Sequence, residues 1–323
     1  MQDVSAIVVT HNSEAEIGAC LDALSGCGQV MVIDNASVDG TVALAAKRRG
    51  VETIANRDNR GFAAAVNQGA RVALGRYLLL LNPDAAMAGG GDGLMSACER
   101  TGLAAGCLTN ADGTPQTGFT IRRLPTAASL AFECLGVNSV WPGNPVNVRY
   151  RCLDLDLSQP GRVEQPAGAF LMIRRDVFDK LGGFDEQFWP VWYEDVDFCR
   201  RAIDAGYGIE YRPEAKARHS GGHAVRKIEP KYQRLYWYGS LLKYAFKHHR
   251  PVFRMLCCSV VLGSLFRLAA GVVRRGRGHQ GDYSRVLRLA VASLLAGKFV
   301  YPEAADNWED ARPHLETHPV DGR

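Results

Sequence analysis

Strands that alternate with helices in the first hundred residues constrain this chain more than any other feature. "SAIVVTHN", "QVMVIDNAS", "VETIAN" and "RYLLLLNPDA" are short apolar runs of strand length. Between them, "EAEIGACLDAL", "DGTVALAAKRRG" and "GFAAAVNQGARVAL" space their apolar residues as helices do. Strands joined through helical crossovers run parallel and are covered on both faces, so the expected class is α/β with a mainly parallel central sheet and flanking helices. Ligands of such sheets bind outside the carboxyl ends of the strands. That edge carries Thr10, His11 and Asn12, then Asp34 and Asn35, then Asn56, then Asn82 and Asp84.

Neither GxGxxG after the first strand nor GxxxxGK[ST] anywhere is present, which removes the usual dinucleotide and P-loop readings. "NPD" at 82–84 then reads two ways. It is a Pro-containing turn, or a strand end whose carboxylate takes a hard divalent cation bridging a diphosphate. With 323 residues, 47% hydrophobic and 22% charged, the chain can bury a full core. Its nine cysteines form no CxxC pair and no metal-ligand spacing, so they are expected as reduced core residues. "MQDVSAIVVTHN" has no basic n-region, and the bulk of the chain is expected in the cytoplasm.

"FWPVWYEDVDFCRRA" sets Glu194, Asp195 and Asp197 behind Phe188, Trp189, Trp192 and Tyr193. The acids either cap a helix that runs to Gly206 or serve as reactive carboxylates beside an aromatic wall. "PAGAFLMIRR" supplies a strand before them and the GlyGly of "KLGGFDEQF" a tight turn. Residues 109–150, rich in Gly, Pro and Asn, are expected to form a partly mobile connection. Within it Arg122 and Arg123 are candidates for a diphosphate contact, with a solvated charge pair as the alternative for at least one.

"VVTHNSE", "VIDNASVDGT", "NRGFAAAVNQG", "LLLLNPDA", "GAFLMIRRDVFDKLGGFDEQFWPVWYEDVDFCRRAIDAGY" and "HSGGHA" follow one another over residues 4–224. In order and spacing this set resembles inverting family 2 glycosyltransferases of GT-A fold, and most of all their bacterial rhamnosyltransferase branch. The resemblance implies a nucleotide-sugar donor held by Thr10, Asn12, Asp34, Arg60, Gly61 and Asn82. It implies Mg²⁺ or Mn²⁺ on Asp84, with His219 joining the metal or the diphosphate; Asn82 stands where the family pattern has its first acid. It makes Asp195 the base that takes the acceptor proton and Glu194 its support, while Asp197 is expected to point away or to pair with Arg200 or Arg201. Trp189, Trp192 and Tyr193 would stack on an acceptor sugar and exclude water.

The expected reaction is transfer of a deoxyhexose, L-rhamnose from dTDP-rhamnose, to a lipid-linked sugar. Another sugar nucleotide or a catalytically inactive sugar-binding module are the alternatives. Domains are expected at 1–225 (nucleotide-sugar half 1–100, acceptor and catalytic half 101–225), with a basic helical segment at 226–300 and a flexible tail at 301–323. From Arg226 to Lys298 fifteen Lys and Arg face two acids, a charge of +13, whereas the remainder is −9. The longest uncharged stretch there, Met255 to Phe266, is twelve residues, short of the roughly 20 that span a bilayer. An interfacial helical pair on an anionic membrane surface is therefore expected, at the cytoplasmic face of the plasma membrane; a soluble hairpin packed on the main domain is the alternative. No nucleic-acid-binding motif accompanies the charge.

Overall fold

The structure, a computed structural model, describes residues 1–221, 228, 230–273 and 283–301. Expectations that fall on Gly222–Ala224 of "HSGGHA", on the start of the basic segment at Arg226 and Lys227, on 274–282 and on the tail from 302 lie outside the described residues.

The four expected strands are β1 (Val4–Thr10), β2 (Gln29–Asn35), β3 (Val51–Asn56) and β4 (Tyr77–Leu81), with α1 (Ile17–Ala23), α2 (Thr41–Ala46) and α3 (Phe62–Val72) between them. They pair in the order β3-β2-β1-β4, all parallel, so the connections leave β1 to opposite sides and open a crevice at its carboxyl end. Along β1 the side chains alternate between two cores. Val4, Ala6 and Val8 pack with α1, whereas Ile7 packs with Met31, Ile33 and α3 on the other face. Gly69 lets α3 approach that closely, since a Cβ there would lie 2.8 Å from Ile7 Cγ2.

The sheet continues through β5 (Ala85–Met87), α4 (Gly91–Thr101) and β6 (Gly102–Thr109), and ends in the order β4-β10-β6-β11-β5. Here β10 (Phe170–Arg174) runs antiparallel to both neighbours, β11 (Gly208–His219) is parallel to β6, and β5 is antiparallel to β11. The sheet is thus mixed in this half. Residues 110–169 leave β6 at its carboxyl end and return to the sheet there, without a crossover, so β10 has to point back.

That excursion is more regular than its composition suggests. It contains β7 (Ile121–Arg122), α5 (Ala127–Leu135), α6 (Val137–Val140), α7 (Pro145–Tyr150), β8 (Gly161–Arg162) and β9 (Gln165–Pro166), where β7 pairs with β9 and β8 with β11. Thr126 and Ser129 close a capping box on α5, and Asn144 before Pro145 caps α7. After β10 come α8 (Arg175–Lys180) and α9 (Glu194–Asp204); after β11 come α10 (Pro230–His248), α11 (Phe253–Val273) and α12 (Tyr283–Ala296). These last three helices form one core with α5 and the aromatic wall. Leu241, Leu242, Leu256, Val260, Val286 and Leu289 pack with Leu130, Cys134, Phe188 and Tyr193. Each fully buried Leu or Val contributes about 1.5–3 kcal/mol.

Candidate active site

At the carboxyl end of β1 and β2, side chains tie two loops into one platform. Thr10 Oγ1 donates to Asp34 Oδ1 at 2.7 Å, and Ser37 donates from Oγ to Asp34 Oδ1 (2.5 Å) and from N to Oδ2 (2.9 Å). Asn12, at φ 53°, donates its N–H to Ser37 Oγ and accepts from Val38 N at 2.8 Å. Thr10 and Asp34 are each only 1% exposed. Of this trio Thr10 alone reaches the cavity wall; Asn12 and Asp34 set the loop that frames it. Arg60 and Gly61 also lie off the wall. Their loop is held by Trp189, whose Nε1 donates to Asn59 O at 3.3 Å, and by Phe62 N donating to Pro190 O at 2.8 Å. Trp189 therefore braces the Asn59–Gly61 loop, and Asn59 supplies the lining residue there.

Asn82 and Asp84 follow β4 directly, and the pairing of Ala85 with His219 carries the imidazole to Asp84 across 135 residues of chain. His219 is 2% exposed, its ring stacked on Phe119 with centroids 5.4 Å apart. Gln116 fixes its tautomer: Gln116 Nε2 donates to His219 O, so Oε1 is left to accept from His219 Nδ1 at 2.9 Å. The Nε2 lone pair then faces Asp84 Oδ1 at 3.4 Å, with no hydrogen-bond partner among the described residues. A lone pair and a carboxylate oxygen at that distance repel unless a cation, a proton or a metal, lies between them. One carboxylate and one imidazole suit Mg²⁺ or Mn²⁺ whose other positions are filled by phosphate and water. No group of three or more His, Cys, Asp or Glu is gathered among the described residues. The pair fits a metal that substrate completes.

Facing that pair is the start of α9. Trp192 and Tyr193 hold left-handed backbone conformations, φ 81° and 72°, which turn the chain from the wall into the helix. The three carboxylates then meet different fates. Asp195 accepts from Val196 N at 2.8 Å and from Gly168 N at 2.9 Å. Burial pushes its pKa up, against the opposing pull of these N–H groups and of Arg122. Glu194, 4% exposed, is pushed well above the carboxylate range by burial and by Asp195, and its Oε2 has no hydrogen-bond partner among the described residues. Asp197 points away from the cavity. Burial alone would raise it, but His248 (2.7 Å), Lys247 (2.8 Å) and Arg201 (2.8 Å) outweigh that and hold it at about 2. The expected pairing with Arg201 is thus present, and two residues of α10 join it.

Trp192, Tyr193, Glu194 and Asp195 share the wall of one cavity of about 450 Å³ with Thr10, Asn82, Asp84 and His219. Tyr193 is 7% exposed and packs on Trp237 and Tyr244, so most of the ring serves the core. Trp192 is half-buried and keeps a face toward the cavity. Arg122 also lines it, while Arg123 pairs with Asp154 at 3.4 Å. Sequence reasoning missed Glu133, Tyr150 and Arg151, which also line the cavity, and Gly168, where a Cβ would come within 3.1 Å of Asp195 Cβ. Only the "PAGAF" glycine beside a strand start hinted at the last.

The profile "Glycosyl transferase family 2" matches residues 5–182, and "N-terminal domain of galactosyltransferase" matches residues 156–223. The N-acetylglucosaminyl-diphospho-decaprenol L-rhamnosyltransferase of Mycobacterium tuberculosis is 28% identical over 247 residues, 70% of this chain and 78% of the relative. The rhamnosyltransferase WbbL of Escherichia coli K12 is 24% identical over 70% of this chain and 86% of its own. Among solved structures, a mannosyltransferase of Pyrobaculum calidifontis in complex with GDP-Man and Mn²⁺ shares the fold at a TM-score of 0.52. It is 17% identical and covers 91% of this chain and 87% of its own. The α/β sheet with its flanking helices is that GT-A architecture.

Proposed function

The chain belongs to glycosyl transferase family 2 and is a glycosyltransferase, and from that premise we propose that it moves L-rhamnose from dTDP-β-L-rhamnose onto a polyprenyl-diphosphate-linked sugar, with inversion, in cell-wall or surface-polysaccharide synthesis. The names of the mycobacterial and E. coli relatives support the sugar, and the former also supports a lipid-diphosphate acceptor. One observation carries the chemistry: Asp195, oriented by two backbone N–H groups, stands in the same cavity as the Asp84–His219 pair.

In this reading the acceptor hydroxyl approaches along Trp192, and its oxygen bonds to the anomeric carbon from the face opposite the leaving nucleotide. Its proton passes to Asp195 as the bond from that carbon to the diphosphate oxygen breaks, leaving glycoside, dTDP and a protonated Asp195. The raised pKa of Asp195 makes it a stronger base than a solvated aspartate. Glu194, neutral through burial, offers an O–H to a sugar hydroxyl. Thr10, Asn59 and Asn82 frame the nucleotide end. When bound to Asp84 and His219, Mg²⁺ or Mn²⁺ would neutralise charge developing on the diphosphate.

The test is a panel of dTDP-rhamnose, UDP-GlcNAc and GDP-mannose offered to the purified protein with a diphospholipid-linked acceptor. Acceptor-dependent release of dTDP is expected. Release of UDP or GDP instead would reassign the donor, and no release from any of them would favour an inactive sugar-binding module.

A further inference from the structure

We infer that the exposed face of α11 is a docking surface for an anionic lipid bilayer, and that the helix lies on that surface without crossing it. Met255, Cys258, Leu262, Leu265, Phe266 and Ala269 recur at helical spacing along one side, all exposed, with Leu262 at 59% and Phe266 at 68%. By length and composition 250–271 is the one described helical stretch apolar enough to cross a bilayer, yet only 39% of it is buried. Further exposed apolar residues lie near both ends. Leu295, 78% exposed, sits two residues before Gly297, which meets Arg254 at the start of α11. At the other end Gly136 meets Arg267, and Val140 (86% exposed) and Trp141 (58%) follow it. Exposed apolar surface of this kind marks an interaction site.

Charge selects the partner. Residues 230–273 and 283–301 contain no Asp or Glu, and Arg250, Arg254, Arg288 and Lys298 are exposed around the apolar stripe. A second copy meeting this face would bring like charges together, whereas anionic headgroups neutralise them while Leu and Phe enter the acyl boundary. Packing selects the depth. Leu256, Cys257 and Val260, on the opposite side of α11, are fully buried in the shared core, and Arg267 donates to Cys134 O at 2.6 Å and Gly263 O at 3.0 Å. Crossing would strip the core packing and the bond to Cys134 O.

The placement deepens the proposed function and rests on its lipid-linked acceptor for its purpose. Helix α11 packs on α5, whose Ser129, Leu130 and Glu133 line the cavity beside Tyr150 and Arg151. A bilayer against α11 therefore lies about one helix diameter, ~10 Å, from the helix that forms this side of the cavity wall.

The test uses full-length protein, and its binding measurement needs neither donor nor acceptor. Co-sedimentation is measured with vesicles of phosphatidylglycerol plus phosphatidylcholine and with phosphatidylcholine alone, with and without about 1 M NaCl, where the Debye length falls to about 3 Å. Binding to the anionic vesicles, released by salt, is expected, and Leu262→Asp/Phe266→Asp should lower it by about tenfold or more. Both positions are exposed, so the variant should keep the wild-type circular dichroism and its dTDP release from a detergent-solubilised acceptor. Arg254→Glu/Arg288→Glu should weaken binding without touching the apolar stripe. Wild-type binding by the Asp variant, equal binding to neutral vesicles, or a dimer in ultracentrifugation that the Asp substitutions dissolve would each overturn the inference. Loss of dTDP release with intact vesicle binding would instead count against the proposed function.

Discussion

Asp197→Asn separates the electrostatic anchor of α9 from its packing. The carboxylate has no exposure and accepts from His248, Lys247 and Arg201, so it joins the helix bearing Asp195 to α10. Its pKa falls from the ordinary 3.8 to about 2, and at 1.36 kcal/mol per unit that shift is worth about 2 kcal/mol of stability. A depressed folded-state pKa stabilises fully above the unfolded value and loses its contribution as pH drops through the folded one, so the window is about pH 4 down to about pH 2. Asparagine imitates the protonated acid in shape. Urea unfolding of wild type and variant at pH 6, 4, 3 and 2 should therefore give a difference of about 2 kcal/mol at pH 6 that closes toward zero at the acid end. A difference that stays constant across that range would refute the reasoning, because it would be a packing defect and not a lost charge.

Asp195→Asn should lower turnover by about 10²–10⁴-fold while donor binding, read by calorimetry, is unchanged; the acid limb of wild-type kcat/KM should lie above pH ~4, since burial raises this base. EDTA should stop nucleoside diphosphate release and Mn²⁺ restore it, with Asp84→Asn and His219→Ala each needing more Mn²⁺ for half-maximal rate; full activity in chelator would sink the metal reading. Gly168→Ala would set a methyl group 3.1 Å from Asp195 Cβ and 3.3 Å from Oδ2. It should cost roughly ten- to a hundredfold in kcat at unchanged melting temperature, and wild-type kcat would remove Gly168 as a positioning residue.

The first hundred residues were legible because their signals are local: apolar runs of strand length, helical spacing between them, and polar residues where each strand stops. Thr10, Asn82 and Asp84 reach the cavity because β1 and β4 end where the sequence says they do. The run of acids behind the aromatics also marked a helix start, and α9 begins at Glu194. What surrounds each carboxylate depends on partners far along the chain. Gly168, 27 residues upstream of Asp195, donates to its carboxylate; Lys247 and His248, about 50 residues downstream of Asp197, pair with that acid; burial pushes the Glu194 carboxyl up. Likewise the antiparallel β10 follows from where the 110–169 excursion re-enters the sheet. Helix α5 is short and gains its place by packing on α11, which no window of sequence around it contains. Strand ends and turn chemistry are written in neighbouring residues, whereas the direction of a returning strand and the ionisation of a buried acid depend on distant groups that only the folded chain brings within a few ångströms.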